Sequence, residues 1–308
     1  ASVRHQTVAE ACRSRNAVGG TCGATAPPYH PRMSDARPLA LVIRTAGTNC
    51  DLEMVRAFEI VGARARRVHM DRLIEDPSVL DDVDLLGFAG GFSYGDDCGA
   101  GRVQAVRTRH RLWEPLRDAA ERGVCMIGAC NGFQMMVQVG LLPGPAPGQS
   151  WSEVQGPLPT TIGLADNVSG RYEDRWAHAE VPANTVCVWT KDLPSRFPPE
   201  HMLFPCAHGE GRVVMTEAQL AAMESSGQIA IRYAEGENFN GSVGRVAGVC
   251  DATGRIFGLM PHPERFLSWE HHAWGTRLTA HDKRGDTFGI AMFRNAIHAV
   301  GSAGCVRG

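Results

Sequence analysis

The sequence lacks several features that define common protein classes. Its ten cysteines form no CxxC pair, which argues against a zinc ribbon or a thioredoxin-type site. No run of about 18 apolar residues occurs, and the N-terminus has no apolar core of a secretory signal. The formal net charge of −2 gives no sign of a basic surface for nucleic acid or an anionic membrane. We therefore expect neither nucleic acid nor a membrane among the partners.

The composition that is present is that of a globular protein. Of the 308 residues, 44% are hydrophobic and 21% are charged, which is enough to bury a large core. Several cysteines, such as Cys125 and Cys250, lie in apolar runs, where cysteine acts as a small buried hydrophobe. Scattered cysteines of this kind predict a reducing compartment, and hence a cytoplasmic protein.

The chain divides into two parts by composition. Residues 1–37 mix Arg, Ser, Thr, Gly and Pro without a sustained period, and they are predicted to be a disordered N-terminal extension. The alternative is a short organelle-targeting peptide, because Glu10 is the only acidic residue before Asp35. Met33 is a candidate start. Residues 38–303 are predicted to form one catalytic domain.

Apolar runs and helical periods alternate from residue 39 onwards. Strands are predicted at 39–43, 65–68, 85–89 and 124–127, and helices at 52–61, 105–122 and 133–139. This alternation predicts an α/β fold with a mainly parallel sheet and helices on both faces. The C-terminal half adds antiparallel strands at 179–181, 185–189, 212–215 and 228–233, a hairpin at 242–249 and 255–260, and a final helix at 287–300.

The strongest chemical signal is the segment Gly128-Ala129-Cys130-Asn131-Gly132 between a strand and a helix. It has the form of a nucleophile elbow, in which glycines flank a sharp turn and expose the nucleophile at a helix N-terminus. The helix dipole there favours a thiolate. The alternative is a buried cysteine at an ordinary strand–helix junction, so the prediction depends on catalytic partners for Cys130.

A base and its orienting carboxylate are available in Pro261-His262-Pro263-Glu264. In an extended segment, residues two apart point to the same side, so His262 and Glu264 can lie together. The two prolines restrict the backbone around them. A thiol, an imidazole and a carboxylate are the components of nucleophilic acyl transfer.

The third element is a pair of glycines, Gly90 and Gly91, at the end of a predicted strand. Acyl transfer creates an oxyanion that must be met by backbone N–H donors. Glycine lets the backbone approach a substrate closely, and the N–H of Asn131 beside the nucleophile is the natural second donor. The alternative is a plain turn at a strand end.

These segments together resemble the class I (triad-type) glutamine amidotransferases, which have a flavodoxin-like fold. More narrowly, they are similar to the glutaminase components of phosphoribosylformylglycinamidine synthase, an enzyme of de novo purine biosynthesis. Seven segments carry the resemblance in order along the chain: Gly47-Thr48-Asn49-Cys50-Asp51, Gly90-Gly91-Phe92-Ser93-Tyr94-Gly95-Asp96, Gly128-Ala129-Cys130-Asn131-Gly132-Phe133-Gln134, Ser169-Gly170-Arg171-Tyr172-Glu173, Ala207-His208-Gly209-Glu210-Gly211-Arg212, Asn240-Gly241-Ser242 and Met260-Pro261-His262-Pro263-Glu264-Arg265. Two departures are Ala89, where the family usually has proline, and the Asp97-Cys98-Gly99 segment.

The resemblance implies a role for each matching position. The catalytic residues are Cys130 as nucleophile, His262 as base and then acid, and Glu264 as its orienting group. The oxyanion donors are Gly91 and Asn131. The substrate-binding residues are Gln134, Asn240, Gly241 and Ser242, and no metal is expected. His208 and Glu210 are expected near a partner surface or an ammonia exit, the alternative being an ordinary surface loop.

The implied activity is hydrolysis of glutamine to glutamate and ammonia, with ammonia channelled to a partner within an ATP-dependent carbon–nitrogen ligase. The partner is the synthetase subunit, and a further candidate is a small bridging subunit. No Walker-type loop is present, so ATP and Mg²⁺ are expected on the synthetase and no cofactor on this chain. The alternatives are a glutaminase serving another synthetase, a cysteine hydrolase on a similar sheet, and a non-catalytic regulatory subunit.

Overall fold

The computed structural model describes residues 37–304, so the predicted N-terminal extension lies, except for Arg37, outside the described residues. Eleven strands are found in this part of the chain. They are β1 (Leu39–Arg44), β2 (Arg64–His69), β3 (Leu85–Phe88), β4 (Cys125–Ala129), β5 (Gly163–Ala165), β6 (Glu173–Glu180), β7 (Leu203–His208), β8 (Arg212–Val214), β9 (Ile229–Tyr233), β10 (Val246–Cys250) and β11 (Ile256–Leu259).

Nine of these strands form one sheet in the order β2-β1-β3-β4-β11-β10-β9-β6-β7, and β5 pairs with β8. β1 is parallel to β2 and β3, and β4 is parallel to β3 and β11. β10 is antiparallel to β11 and β9, and β6 is antiparallel to β9 and β7. The predicted fold class is therefore confirmed, including the antiparallel additions in the C-terminal half.

Seven α-helices accompany the strands in the described range. None of them is both long and apolar enough to cross a membrane. They are α1 (Asp51–Ile60), α2 (Met70–Glu75), α3 (Arg102–Arg111), α4 (Trp113–Glu121), α5 (Asn131–Val139), α6 (Glu217–Ser225) and α7 (Phe288–Gly304).

The large sheet is buried on both faces because the side chains of a strand alternate between them. In β1, Leu41 packs in a core with α3, α4 and α5, whereas Val42 packs in a second core with α1 and α7. The rings of Phe58 and Phe293 meet edge to face in that second core, with their centroids 5.1 Å apart. The two cores hold the strand ends in fixed positions.

The predicted helix at 105–122 is wrong as a single element. The chain breaks at Leu112, where φ is −128°, and continues as α4. Pro115 explains the break, because inside one continuous helix it would remove a backbone hydrogen bond and clash with the preceding turn. In the structure Pro115 lies in the first turn of α4, where proline is tolerated.

The predicted strand at 185–189 is also wrong. Val186 and Val188 donate their N–H groups to Gly227 and Gly254, so the segment is held by loops instead of a ladder. Cys187 is fully buried, but it is buried in a loop and not in a strand. Sequence reasoning also missed β7, which pairs along its whole length with β6.

Candidate active site

The carboxyl ends of β1, β3, β4 and β11 lie side by side at one edge of the sheet, because these strands are parallel. The segments that follow them carry Cys50, the pair Gly90 and Gly91, Cys130 and His262. Four distant stretches of sequence therefore meet at this edge.

The turn between β4 and α5 holds Cys130 in an unusual backbone conformation, with φ 50° and ψ −108°. Such values are strained for a residue other than glycine and recur at functional sites. The flanking glycines are required: a Cβ on Gly132 would lie 1.9 Å from the carbonyl oxygen of Phe88. A Cβ on Gly128 would lie 2.3 Å from the sulfur of Met136. The structure thus has the elbow geometry.

The Cys130 thiol lies beside the end of β7. Its Sγ is 3.7 Å from the carbonyl oxygen of Ala207, and the residue is 7% exposed. The N–H of Cys130 donates to Leu259 at 2.8 Å, so the end of β11 supports the elbow directly. This contact also sets the distance between the elbow and the segment after β11.

His262 and Glu264 form a fully buried pair. Nδ1 of His262 lies 2.7 Å from Oε1 of Glu264, and Nε2 has no hydrogen-bond partner among the described residues. Burial by itself lowers the pKa of His262, but the charges of Glu264 and Cys130 raise it well above its usual value. The segment is not extended as predicted, because Pro263–Arg265 is one turn of 3₁₀ helix.

Gly91 and Asn131 both present backbone N–H groups without an acceptor in the described part of the chain. Gly91 has φ 145°, and a Cβ there would lie 2.7 Å from the nitrogen of Asn49. Asn131 is the first residue of α5, where helical N–H groups have no intrahelical partner. A Cβ on Gly90 would lie 2.8 Å from Cε1 of His262, so this glycine makes room for the imidazole.

A cavity of about 230 Å³ opens at this edge of the sheet. Cys130, His262, Gly91 and Gln134 are in its wall. The Gln134 side chain accepts from Nδ2 of Asn131 at 3.1 Å and donates to the carbonyl oxygen of Glu210. The cavity therefore joins the thiol and imidazole with polar groups, as a site for a small polar substrate requires.

Residues 37–299 match the CobB/CobQ-like glutamine amidotransferase domain. The chain belongs to this glutamine amidotransferase family. It is 37% identical over 267 residues to the phosphoribosylformylglycinamidine synthase subunit PurQ of Dehalococcoides mccartyi, covering 83% of this chain and 95% of that one. It is 38% identical over 279 residues to PurQ of Methanococcus maripaludis, covering 84% and 96%.

Solved structures share the fold of this chain. One chain of the structure of PurLQS from Thermotoga maritima is 30% identical, with a TM-score of 0.63, over 86% of this chain and 99% of that one. A putative GMP synthase component from Thermoplasma acidophilum, 13% identical with a TM-score of 0.50, shares the fold over 88% and 98%. The predicted resemblance to this family and to its purine branch is confirmed.

Three residues that the family resemblance assigns to substrate are not in the cavity wall. Asn240 is buried and donates to Gly211 at 2.8 Å, while its Oδ1 accepts from the N–H and the hydroxyl of Ser242. A Cβ on Gly241 would lie 2.3 Å from Val168. This loop supports neighbouring segments, and its role in substrate binding stays a prediction.

His208 and Glu210 are in the cavity wall. Nδ1 of His208 lies 3.0 Å from Oδ1 of Asn167, and Nε2 has no partner in the described chain. Burial, followed by the charge of His262, lowers the pKa of His208 to about 4. The pKa of His208 is lowered and that of His262 is raised, although both imidazoles line one cavity, and His208 is held neutral. A role at a partner surface or exit stays a prediction.

Sequence reasoning gave no role to Cys50 or Arg265, although both lie within family segments. Their juxtaposition was not readable, because 215 positions separate them in the chain. Sγ of Cys50, the imidazole of His262 and Glu264 also bring possible metal ligands within 4.8 Å of one another. Hydrogen bonds among these groups and Arg265 account for the cluster, and the expectation of no metal stays a prediction.

Proposed function

We propose that this chain is the glutaminase subunit of phosphoribosylformylglycinamidine synthase and that Cys130, His262 and Glu264 are its catalytic triad. The observation that carries the proposal is the elbow cysteine in one cavity with an imidazole that a buried carboxylate orients at 2.7 Å. Membership of the family and the PurQ relatives supply the substrate, glutamine.

In the proposed reaction, the Cys130 sulfur attacks the carboxamide carbon of glutamine while His262 holds the thiol proton. The resulting oxyanion accepts hydrogen bonds from the N–H groups of Gly91 and Asn131. His262 then protonates the departing nitrogen, the carbon–nitrogen bond breaks, and a thioester remains. Water attacks the thioester with His262 as base, which releases glutamate and restores the thiol.

The orientation of His262 follows from its contacts. An ionised Glu264 carboxylate can only accept, so Nδ1 carries a proton and Nε2 is left to exchange protons with the thiol and the substrate. The raised pKa of His262 keeps the proton that Nε2 takes from the thiol available for the leaving nitrogen. Glu264 thus stabilises the imidazolium, as the third member of a triad does.

The proposed partner is the synthetase subunit, which receives the ammonia and holds ATP and Mg²⁺; a small bridging subunit is a further proposed component. The similarity to one chain of PurLQS from Thermotoga maritima supports this assembly. We place the reaction in the cytoplasm, in keeping with the reducing compartment expected from the scattered cysteines.

The test uses the assembled complex with either glutamine or ammonia as nitrogen donor. The wild type is expected to use both, and glutaminase activity is expected to rise when the purified synthetase is added. Cys130→Ala is expected to abolish glutamine-dependent synthesis while ammonia-dependent synthesis survives. Full glutamine-dependent activity in this variant would remove Cys130 from the mechanism, and strong activity unaffected by the synthetase would indicate a free-standing hydrolase.

A further inference from the structure

Arg265 is a guanidinium in the cavity wall that lacks a carboxylate partner among the described residues. It is partly buried and lies beside the same cavity as Cys130 and His262. Within the described chain, its side chain donates one hydrogen bond, to the sulfur of Cys50, and it forms no ion pair with a carboxylate. The adjacent carboxylate, Glu264, is bound to His262.

The backbone directs Arg265 to the side of His262. The N–H of Arg265 donates to the carbonyl oxygen of His262 at 3.1 Å across the single 3₁₀ turn. Residues three apart in such a turn lie on one side. The turn therefore places the guanidinium next to the imidazole, and both face the cavity.

Cys50 holds the Arg265 guanidinium through a hydrogen bond. It is fully buried, and its Sγ accepts from Nη2 of Arg265 at 2.9 Å. The same sulfur lies 3.1 Å from Oδ1 of Asn49, to which the thiol donates. Cys50 thus holds two cavity-lining side chains, Asn49 and Arg265, and lies 3.9 Å from Nδ1 of His262.

We propose that Arg265 binds the α-carboxylate of glutamine and that Cys50 is the residue that positions its guanidinium; this rests on the proposed glutaminase function. A guanidinium has five N–H donors in a planar fork that matches a carboxylate, and Cys50 engages one donor group. Arg171 also lines the cavity, but it is exposed, and no hydrogen bond or ion pair within the described chain holds its guanidinium. Arg265 is held in place before substrate arrives, which lowers the ordering cost of binding.

The test compares glutamine with 4-aminobutanamide, which has the same carboxamide and amine but no carboxylate. Arg265→Met is expected to lower kcat/KM for glutamine about 10- to 100-fold, the usual effect of losing a hydrogen-bonded charge. For 4-aminobutanamide the same variant is expected to stay within about threefold of the wild type. Arg56→Met removes an exposed guanidinium from α1 and is the control, expected to match the wild type on both substrates.

Cys50 provides the second arm. Cys50→Ala is expected to lower the preference for glutamine over 4-aminobutanamide by about 3- to 10-fold, and Cys50→Ser, which keeps a hydrogen-bond acceptor, is expected to restore most of it. The preference is a ratio within one variant, so partial loss of folded protein does not alter it.

Three results would overturn the inference. One is an equal loss of kcat/KM by Arg265→Met on both substrates, which would mean that Arg265 supports the catalytic residues and does not bind the α-carboxylate. Another is a loss seen only with the synthetase present, which would assign it to a partner carboxylate. The third is an unchanged preference in both Arg265→Met and Cys50→Ala. Wild-type protein that fails to hydrolyse glutamine with the synthetase present would instead contradict the proposed function.

Discussion

The N-terminal and C-terminal halves of the chain contribute to the site in different ways. The N-terminal half, with the parallel strands β1, β3 and β4, supplies backbone geometry: the elbow at Cys130 and the turn at Gly91. The C-terminal half supplies side chains: His262 and Glu264 after β11, with His208 at the end of β7. Strained backbone is encoded by neighbours in sequence, whereas the side-chain partners depend on strands brought together from far apart.

This difference predicts two kinds of failure. A larger side chain at a glycine of the N-terminal half acts through steric clash, so it costs stability and activity together. A substitution of a polar side chain in the C-terminal half removes a charge or a hydrogen bond, so it can cost activity while the fold persists. The three substitutions below test this division, from the largest expected effect to the smallest.

Glu264→Gln is expected to give the largest effect on rate. The amide keeps the shape but removes the charge that orients His262 and raises its pKa, so kcat/KM for glutamine should fall by about 10²- to 10⁴-fold. Steady-state glutaminase assays of the assembled complex measure this change. Exposed Glu235→Gln is the control. A fall of less than tenfold would contradict the orienting role of Glu264.

The same variant has a pH signature. Because the folded-state pKa of His262 is raised, its protonation stabilises the fold fully below the ordinary value of about 6.5, and this contribution is lost as pH rises through the folded pKa. The stability difference between wild type and Glu264→Gln should therefore be largest in acid and shrink as pH rises. Urea unfolding across that range measures it. A stability difference that grows with pH would mean that the pKa of His262 is not raised in the folded protein.

Gly132→Ala is expected to destabilise the elbow by about 3 kcal/mol or more, because the new Cβ would lie 1.9 Å from a backbone oxygen that cannot move aside. Thermal unfolding measures the loss, and glutaminase activity should fall with it. Gly156→Ala is the matched control, since a Cβ there meets nothing within 4 Å. If Gly132→Ala were as stable as the control, the geometry of the turn would be wrong.

Asn240→Ala should have the smallest effect on rate. Removing its buried amide leaves Ser242 and the Gly211 carbonyl short of partners, which costs about 1–3 kcal/mol of stability. Because this side chain is not in the cavity wall, kcat/KM should change by less than about fivefold. Exposed Asn184→Ala is the control. A large rise in KM at unchanged stability would instead support the substrate-binding role predicted from the family.

The local features of the fold were predictable because they depend on residues close in sequence. The flanking glycines of Cys130 and the alternation in β1 through β4 are of this kind. Pro115 carried a local signal as well, and it ends the continuous helix that hydrophobic periodicity alone predicts. The apolar stretch around Cys187 was misread because burial in a loop and burial in a strand give the same composition.

The site was predictable only in part, for a physical reason. The types of its catalytic side chains follow from the chemistry of acyl transfer, so Cys130, His262 and Glu264 could be proposed from sequence. The hydrogen bond between Cys50 and Arg265 depends on the order of strands in the sheet, and no local pattern encodes it. Nor could the burial of Asn240 be anticipated, since a polar loop usually lies at the surface.

The place of β11 in the sheet bears on how the protein is made. β11 is the last of the strands in the described part of the chain, yet it inserts between β4 and β10 in the middle of the sheet. During synthesis Cys130 therefore precedes His262 and Glu264 by more than 130 residues. In the proposed mechanism, incomplete chains that end before His262 carry the thiol without the groups needed to release ammonia, so they are not expected to hydrolyse glutamine.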